Sequence, residues 1–375
     1  MIEYRTISSS EELRRLAESL RPEPLLGLDT EAAGFHRYHD RVSLIQLSTR
    51  ESHFLLDPFE IDDFSGLAEL VTDPERTVIL HDADYDFRIL DRDLDIQVRG
   101  LFDTQVAAAF LGVRSLGLGN ILASHLDVHV PKKFQRADWA ERPLSEEMKD
   151  YAVTDTAYLP ALHDRLRAQL VEAGRLEWAE EEFLEREKIR WSEPTDPEDA
   201  YLRMKGARDL PPRGLAILRE VHAWREERAR EKDRAPFRIL GNQSLLGIAA
   251  RAPADIEALQ SIGGVSGGVA RREGDELLAA VRRGMGVPEE ELPSFPRGPR
   301  RERDPEVEER VERMRQARGR AADALDLDPG FLISRAQLAE IARQRPGSKK
   351  ALAEVPGVRR WQVEVLGVDL LDALR

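Results

Sequence analysis

An apolar run near the N-terminus of the chain ends in two carboxylates. Residues 25–31 read Leu-Leu-Gly-Leu-Asp-Thr-Glu, a pattern typical of a buried strand that closes with Asp29 and Glu31. Because side chains alternate between the two faces of a strand, Asp29 and Glu31 lie on the same face. Two hard oxygen donors on one face suit a divalent cation. The run therefore predicts a metal site where a buried strand ends.

A predicted helix further along the chain supplies a third carboxylate and a phenol. Tyr151 and Asp155 are one turn apart and therefore share a face of that helix. Mg²⁺ prefers an octahedral oxygen shell, which a few carboxylates and a substrate phosphate can complete, and two such ions about 3.5–4 Å apart can promote displacement at phosphorus. A neutral tyrosine hydroxyl can orient the attacking water. These residue types together favour a metal-dependent nuclease.

An acidic block supplies a fourth candidate ligand. Residues 81–87 read His-Asp-Ala-Asp-Tyr-Asp-Phe and follow a predicted strand. Asp86 is the position of this block that stands out, while Asp82 and Asp84 stay open as alternatives. We interpret His81, at the strand end, as a structural residue. Because the chain contains 70 acidic residues, the joint pattern of these positions is informative and a single one is not.

Composition limits the class of protein. Charged residues make up 34% of the chain and apolar residues 41%, a balance typical of soluble globular proteins. The longest apolar stretch is too short to span a bilayer and the first residues do not form a signal peptide, so we expect a cytoplasmic protein without a membrane partner. Because the chain has no cysteine, metal ligands must come from Asp, Glu or His.

Acidic residues are concentrated in the first half of the chain. Residues 1–205 contain 25 Lys and Arg against 42 Asp and Glu, whereas residues 206–375 contain 31 against 28, within a net charge of −14. One interpretation assigns metal binding to the first half and contact with a polyanion to the second. The alternative is that two solvated surfaces differ in charge without a functional reason.

The first 110 residues alternate between strand and helix patterns. Predicted strands cover residues 25–29, 42–47, 53–56 and 77–81. Predicted helical segments cover residues 11–20, 64–71 and 87–90, and helices dominate from residue 104 onward. We interpret Asp103 and Ser145 as N-caps of the helices that follow them. This order predicts a mixed sheet flanked by helices.

The second half of the chain contains an internal repeat. Leu245-x-x-Ile-Ala matches Leu338-x-x-Ile-Ala at an offset of 93 residues, and the same offset pairs Pro253 with Pro346 without a gap. Apolar positions shared at helical spacing predict two copies of a small helical module. Proline-rich segments mark the boundaries. The predicted domains are residues 1–205, 206–285 and 304–375, with a linker at residues 286–303.

A basic segment precedes the helix of Tyr151. Residues 132–136 read Lys-Lys-Phe-Gln-Arg, and Asp138 and Trp139 follow. In one interpretation Lys132, Lys133 and Arg136 bind substrate phosphates while Trp139 stacks on a terminal base. In the other, the segment is a solvated basic loop.

Three motifs occur in order over residues 1–205. They are Leu-Asp-Thr-Glu at residues 28–31, the acidic block at 81–87 with Phe-Asp-Thr-Gln at 102–105, and the segment from Asp-Trp at 138–139 through Arg-Pro-Leu-Ser at 142–145 to residue 155. Together they resemble the DEDDy exonucleases of the ribonuclease D family, and the repeated module resembles the helicase-and-ribonuclease-D C-terminal (HRDC) domain. The resemblance implies an α/β RNase H-like domain with a mixed β-sheet, followed by two small all-α HRDC domains.

The resemblance also implies an activity and the residues that perform it. By motif position, the implied ligands of two divalent cations, Mg²⁺ or Mn²⁺, are Asp29, Glu31, Asp86 and Asp155. Tyr151 would position the attacking water. The implied reaction is 3′→5′ hydrolysis of RNA with release of nucleoside 5′-monophosphates, and the implied partners are structured RNA precursors, chiefly tRNA 3′ ends. No obligate protein partner is evident.

Two other functions stay open at this point. Metal-dependent hydrolysis of a phosphodiester depends little on the sugar, so a 3′→5′ DNA exonuclease is one alternative. A nucleic-acid binding protein that has lost catalysis is the other, and it would bind without releasing mononucleotides. For an RNA substrate, the Arg-rich segments at residues 300–303 and 310–320 could hold the body of the RNA by its phosphates.

Overall fold

A single mixed sheet forms the centre of the first part of the chain. The computed structural model describes residues 2–131, 133–193, 196–296 and 304–375. The strands described are β1 (Arg5–Ile7), β2 (Leu25–Ala32), β3 (Val42–Ser48), β4 (His53–Leu56), β5 (Thr77–Leu80) and β6 (Leu101–Asp103), in the sheet order β1-β4-β3-β2-β5-β6. The strand β3 pairs antiparallel with β2 and β4, whereas the other neighbouring strands pair parallel.

Helices cover both faces of this sheet. In the first part of the chain they are α1 (Ser10–Leu20), α2 (Ser65–Val71), α3 (Asp84–Leu94), α4 (Thr104–Phe110), α5 (Leu118–Leu126), α6 (Glu146–Ala157), α7 (Leu159–Glu172) and α8 (Leu176–Arg186). Strand β3 is buried along its whole length, which explains its continuous apolar pattern. Gly27 in β2 lets α6 approach closely, because a Cβ at this position would lie 3.1 Å from the carbonyl oxygen of Thr156.

The second part of the chain consists of two helical modules. Short 3₁₀ helices at Pro197–Arg203 and Ala207–Asp209 precede the first module, and another covers Glu289–Glu291. The first module contains α9 (Pro212–Glu231), α10 (Pro236–Ile239), α11 (Asn242–Arg251), α12 (Ile256–Gln260) and α13 (Gly267–Met285). The second module contains α14 (Pro305–Leu325), α15 (Pro329–Leu332), α16 (Arg335–Gln344), α17 (Lys349–Ala353) and α18 (Arg360–Ala373). Each helix of the first module has a counterpart in the second.

The two modules differ in how their cores relate to the sheet domain. The buried apolar residues of the first module form a cluster of their own, together with Tyr201 and Ala207. Those of the second module belong to the same cluster as the sheet domain. At that junction the rings of Trp178 and Trp361 stack with their centroids 5.6 Å apart. Phe110 also packs edge-on against Trp361, so the second module buries aromatic surface of the sheet domain.

The structure confirms the predicted fold class and most of its predicted elements. The predicted strands correspond to β2 to β5, but β1 and β6, of three residues each, escaped the sequence pattern. The predicted N-caps are confirmed, because Asp103 accepts from the amides of Gln105 and Val106 and Ser145 from that of Met148. The domain boundaries stay predictions. Pro194, residues 297–303 of the linker and the Arg-rich segment 300–303 lie outside the described residues. Among the described residues, no helix is both long enough and apolar enough to cross a membrane.

The aromatic junction leads to a prediction about stability. Trp361 is 2% exposed, its ring contacts Trp178 and Phe110, and its Nε1 donates to Glu182 at 3.0 Å. Because Trp361→Ala leaves a cavity in a packed core, we expect the free energy of unfolding to fall by about 3–5 kcal/mol. Urea denaturation followed by circular dichroism measures this change. Val368→Ala, on the exposed side of the same helix, is the matched control and should change it by less than about 0.5 kcal/mol. Equal effects of the two substitutions would contradict the prediction.

Candidate active site

Strand β2 presents two carboxylates on the face that α6 covers. Asp29 pairs with Gln46 of β3 and Glu31 pairs with Leu44, so all four side chains lie on one face of the sheet. The register with β3 shifts between Glu31 and Ala32, directly after the second carboxylate. The two carboxylates therefore stand at the end of the regular part of a central strand, which fixes their backbone positions.

Helix α6 brings the third carboxylate and the phenol to the same face. Ser145 caps the helix, whose apolar side packs on β3 and β4 through Met148, Ala152 and Val153. Tyr151 is buried, and Asp155 lies one turn later on the same face of the helix. The predicted spacing of these residues on one helix face therefore places both of them over β2.

Three of the predicted ligands form a compact cluster. One carboxylate oxygen from each of Asp29, Glu31 and Asp155 lies within 4.8 Å of the others. Among the residues that the structure describes, no Lys, Arg or His forms an ion pair with these carboxylates. A set of hard oxygen donors without a cationic partner fits Mg²⁺ or Mn²⁺. The cluster therefore has the chemistry of a divalent cation site.

Asp86 lies beside this cluster and is held by β2. It belongs to the first turn of α3, is buried, and its Oδ1 accepts from the amide of Thr30 at 3.1 Å and from the Thr30 hydroxyl at 2.5 Å. It lies outside the group of three carboxylates, yet its charge acts on Asp29 and Glu31. Thr30, which the sequence pattern did not single out, is thus the residue that fixes Asp86.

The alternatives in the acidic block point elsewhere. Asp84 forms an ion pair with Arg88, at 2.7 Å between Oδ1 and Nε, and Asp82 lies 3.6 Å from Arg186. The Nδ1 of His81 is 2.9 Å from the hydroxyl of Thr104. These contacts favour Asp86 as the residue of the block that faces the cluster, and they agree with a structural role for His81.

Burial and mutual repulsion disfavour the ionised forms of the clustered acids. Burial raises the pKa of Asp29 and of Glu31 well above the usual range, and the neighbouring carboxylates raise both further. Burial also raises the pKa of Asp86 to about 6 and that of Asp155 to about 7. The pKa of the Tyr151 phenol rises as well, through burial and then through the charge of Asp155. A bound cation would reverse this balance for the carboxylates, because it favours their charged forms.

Aromatic rings support Tyr151 from the side. Trp139 is 1% exposed and its ring centroid lies 6.1 Å from that of Tyr151, while Phe134 packs edge-on against Tyr151 at 5.9 Å. This position differs from the expectation that Trp139 stacks on a base, because tertiary packing leaves its ring no free face. Its Nε1 has no hydrogen-bond partner within the described residues. Trp139 therefore acts as packing that fixes the phenol.

The basic segment divides into residues with different surroundings. Lys132 lies outside the described residues. Lys133 forms an ion pair with Glu147 and its Nζ lies 4.9 Å from the ring centroid of Phe134. The exposed guanidinium of Arg136 lies 5.5 Å from the centroid of the Phe35 ring, and the Arg136 carbonyl contacts His36. Arg136 therefore lies against the segment that follows β2, whereas Lys133 is engaged in an ion pair.

Gln46 is a site residue that the sequence analysis missed. It pairs with Asp29 across the ladder and is fully buried, but neither atom of its side-chain amide has a hydrogen-bond partner in the described part of the chain. A buried amide without partners is costly unless a ligand or water satisfies it. Strand alternation could have identified it, since Gln46 is a polar residue at an inward position of an apolar strand.

Comparisons with protein families divide the chain in the same way as the fold. A family model described as a 3′-5′ exonuclease matches residues 4–171, and one described as the HRDC domain matches residues 214–281 and 307–374. The chain is 31% identical over 374 residues to ribonuclease D of Pseudomonas paraeruginosa, covering 99% of this chain and 98% of that protein. It is 33% identical over 291 residues to ribonuclease D of Escherichia coli, covering 77% of each.

Solved structures agree with this likeness. The crystal structure of Escherichia coli RNase D, described as an exoribonuclease involved in structured RNA processing, covers 100% of this chain and 99% of its own, with a TM-score of 0.70 at 27% identity. A protein from Bifidobacterium adolescentis covers 99% of this chain and 96% of its own, with a TM-score of 0.83 at 27% identity. The similarity therefore spans the sheet domain and both modules.

Charge in the cluster leads to a prediction about the metal-free protein. The folded state raises the pKa of Asp155 from 3.8 to about 7, so this group lowers the free energy of unfolding as the pH rises from 3.8 to about 7, and the loss levels off above that pH. Asp155→Asn should therefore raise the melting temperature in EDTA at about pH 8. The gain should vanish near pH 4 and below, where the carboxyl is protonated in both states. Thermal unfolding at several pH values measures this.

Asp164 on the adjacent helix is the matched control. An ion pair with Arg50 lowers the pKa of Asp164, so Asp164→Asn should not raise the melting temperature at about pH 8. A wild-type protein that melts above Asp155→Asn at every pH would show that the cluster is not under electrostatic strain.

Proposed function

Because the chain belongs to the ribonuclease D family of 3′→5′ exoribonucleases, we propose that it removes nucleotides one at a time from the 3′ ends of structured RNA precursors, chiefly tRNA. The observation that carries the proposal is the cluster of Asp29, Glu31 and Asp155 within 4.8 Å, with Tyr151 on the same helix as Asp155. A tRNA substrate would place the enzyme in the cytoplasm.

The four acids are proposed as ligands of two divalent cations, Mg²⁺ or Mn²⁺. Asp29, Glu31 and Asp155 would hold them directly, and Asp86, fixed by Thr30, would complete the donor set from α3. When bound, such cations lower the pKa of water and offset the negative charge that develops on phosphate oxygens. Because no Lys, Arg or His among the described residues pairs with these acids, no side-chain cation competes with the metal ions for them.

Tyr151 is proposed to orient the attacking water. Its raised pKa keeps the phenol neutral, so the hydroxyl can hold a water by hydrogen bonding but cannot serve as its base. The packing of Trp139 and Phe134 on its ring limits its rotation. The water oxygen would attack the phosphorus, and the bond to the 3′ oxygen of the preceding nucleotide would break. The product is then a nucleoside 5′-monophosphate and an RNA shortened by one.

The helical modules are proposed to hold the RNA body. In this division, residues 1–205 cut the 3′ end, while residues 206–285 and 304–375 contact phosphates beyond it. The support is the balance of 31 basic against 28 acidic residues in the second half, compared with 25 against 42 in the first. Structured RNA is the substrate class named for the similar Escherichia coli enzyme.

Two substitutions test the chemistry. With a 3′-extended tRNA and Mg²⁺, Asp155→Ala should abolish nearly all release of mononucleotides, because it removes a ligand. Tyr151→Phe should reduce kcat by about 10- to 100-fold, because the phenyl ring still packs but no longer orients water. Thin-layer chromatography of end-labelled RNA measures both the rate and the identity of the released nucleotide.

Controls separate this proposal from its alternatives. Asp150→Ala removes an acid from the same helix outside the cluster and should leave the rate within about twofold. Faster digestion of a matched DNA strand would instead indicate a DNA exonuclease. If the wild-type protein binds RNA but releases no mononucleotide with either Mg²⁺ or Mn²⁺, the proposed exonuclease activity is wrong.

A further inference from the structure

Two exposed phenylalanine rings meet at the seam between the sheet domain and the first helical module. Phe35 follows β2 and is 42% exposed, and Phe237 lies in α10 and is 49% exposed. Their ring centroids are 5.1 Å apart and the rings are tilted by 52°. We call them the Phe35–Phe237 pair. Large apolar side chains exposed together are uncommon on a protein surface without a ligand or partner.

The seam does not need these rings to hold together. The amide of Ala235 donates to the carbonyl of His36 at 3.0 Å, and the Arg238 Nε donates to the carbonyl of Phe35 at 2.8 Å. Arg37 pairs with Asp233 across the seam at 3.7 Å. Because polar contacts already join the two surfaces, the free faces of the pair have no structural explanation.

Guanidinium groups surround the pair without carboxylate partners. Arg136 and Arg238 lie 5.5 Å and 5.1 Å from the centroid of the Phe35 ring. Within the described ranges, neither of them forms an ion pair, and neither does Arg234, which lines an adjoining cavity of about 550 Å³. Asp138 and Asp233 line the same cavity as Arg234 and Arg238, but both carboxylates pair with Arg37, so this positive charge is available to a polyanion. Exposed rings beside unpaired arginines favour single-stranded nucleic acid, because bases stack and phosphates bind cations.

A short chain of contacts connects the pair to the proposed catalytic centre. Glu31 lies four residues before Phe35 on the same segment. His36 lies 2.8 Å from the carbonyl of Arg136, and Arg136 belongs to the segment whose Phe134 packs on Tyr151. The pair is therefore connected to the carboxylate cluster both along the chain and through the segment that packs on Tyr151.

We propose that the Phe35–Phe237 pair is a stacking platform for a base of the single-stranded 3′ segment, upstream of the phosphodiester that is cut. Arg136, Arg234 and Arg238 bind the phosphates that flank this base. The platform would hold the strand in register with the cluster by a contact that every base can make. This inference rests on the proposed exonuclease function and adds to it a site composed of two domains.

Fluorescence of 2-aminopurine tests the platform directly. Single-stranded decamers carrying one 2-aminopurine at successive positions from the 3′ end bind to the full-length wild-type protein in EDTA, where no hydrolysis occurs. Stacking quenches the fluorophore, so we expect quenching at one or two adjacent internal positions. In Phe35→Ala/Phe237→Ala the quenching should disappear, and Kd for the decamer should rise about 10- to 100-fold. Phe35→Trp should retain quenching, because it retains an aromatic face.

The kinetics and a matched variant complete the test. In Mg²⁺, the ratio of the KM of the double variant to the KM of the wild-type protein should increase with RNA length until the RNA is long enough to reach the platform. For longer RNA this ratio should stay constant. Val171→Ala, an exposed apolar residue on α7 away from the seam, should change neither Kd nor KM. Quenching that persists in the double variant, or a lower melting temperature with unchanged Kd, would show that the rings only join the domains. A wild-type protein that quenches the fluorophore but releases no mononucleotide would contradict the exonuclease proposal and leave the platform standing.

Discussion

Repulsion among the buried carboxylates is an unfavourable interaction, which the packing of the rest of the sheet domain must offset. Asp29 and Glu31 cannot move apart, because both belong to β2 and pair with residues of β3 in the ladder. Asp155 cannot withdraw, because its helix packs on β3 and β4. A pocket that relaxed would lose the geometry that a small cation needs. These features act together. The buried sheet, the capped helix and the rings that pack on Tyr151 keep the carboxylates close to one another even when no cation is bound.

The sequence predicted those parts of this arrangement that depend on short repeats. Alternation along β2 placed Asp29 and Glu31 on one face, and helical spacing did the same for Tyr151 and Asp155. The burial of Trp139 was not predictable, because it depends on how a loop folds over α6 and not on its neighbours in the chain. The short strands β1 and β6 were missed because three residues show no alternation. Their pairing comes from adjacent strands.

The 93-residue repeat predicted two copies of a module but not their different surroundings. At this offset, Trp361 and Phe331 of the second module correspond to Gly268 and Arg238 of the first. The second module therefore has the rings with which it packs on Phe110, at 4.7 Å from Phe331. The first module has at the equivalent corner a guanidinium and an exposed phenylalanine. Different residues at one corner thus give the same helical unit two kinds of contact.

This difference sets which module can separate from the sheet domain while the chain stays folded. Separating the second module from the sheet domain would expose indole and phenyl rings that are now buried. The free-energy cost would be comparable to that of unfolding part of the core. Separating the first module would break a few polar contacts and the Phe35–Phe237 contact, but its apolar interior would stay intact. The second module is thus a fixed part of the sheet domain, whereas the first is an independently packed unit that can separate from it at a lower cost in free energy.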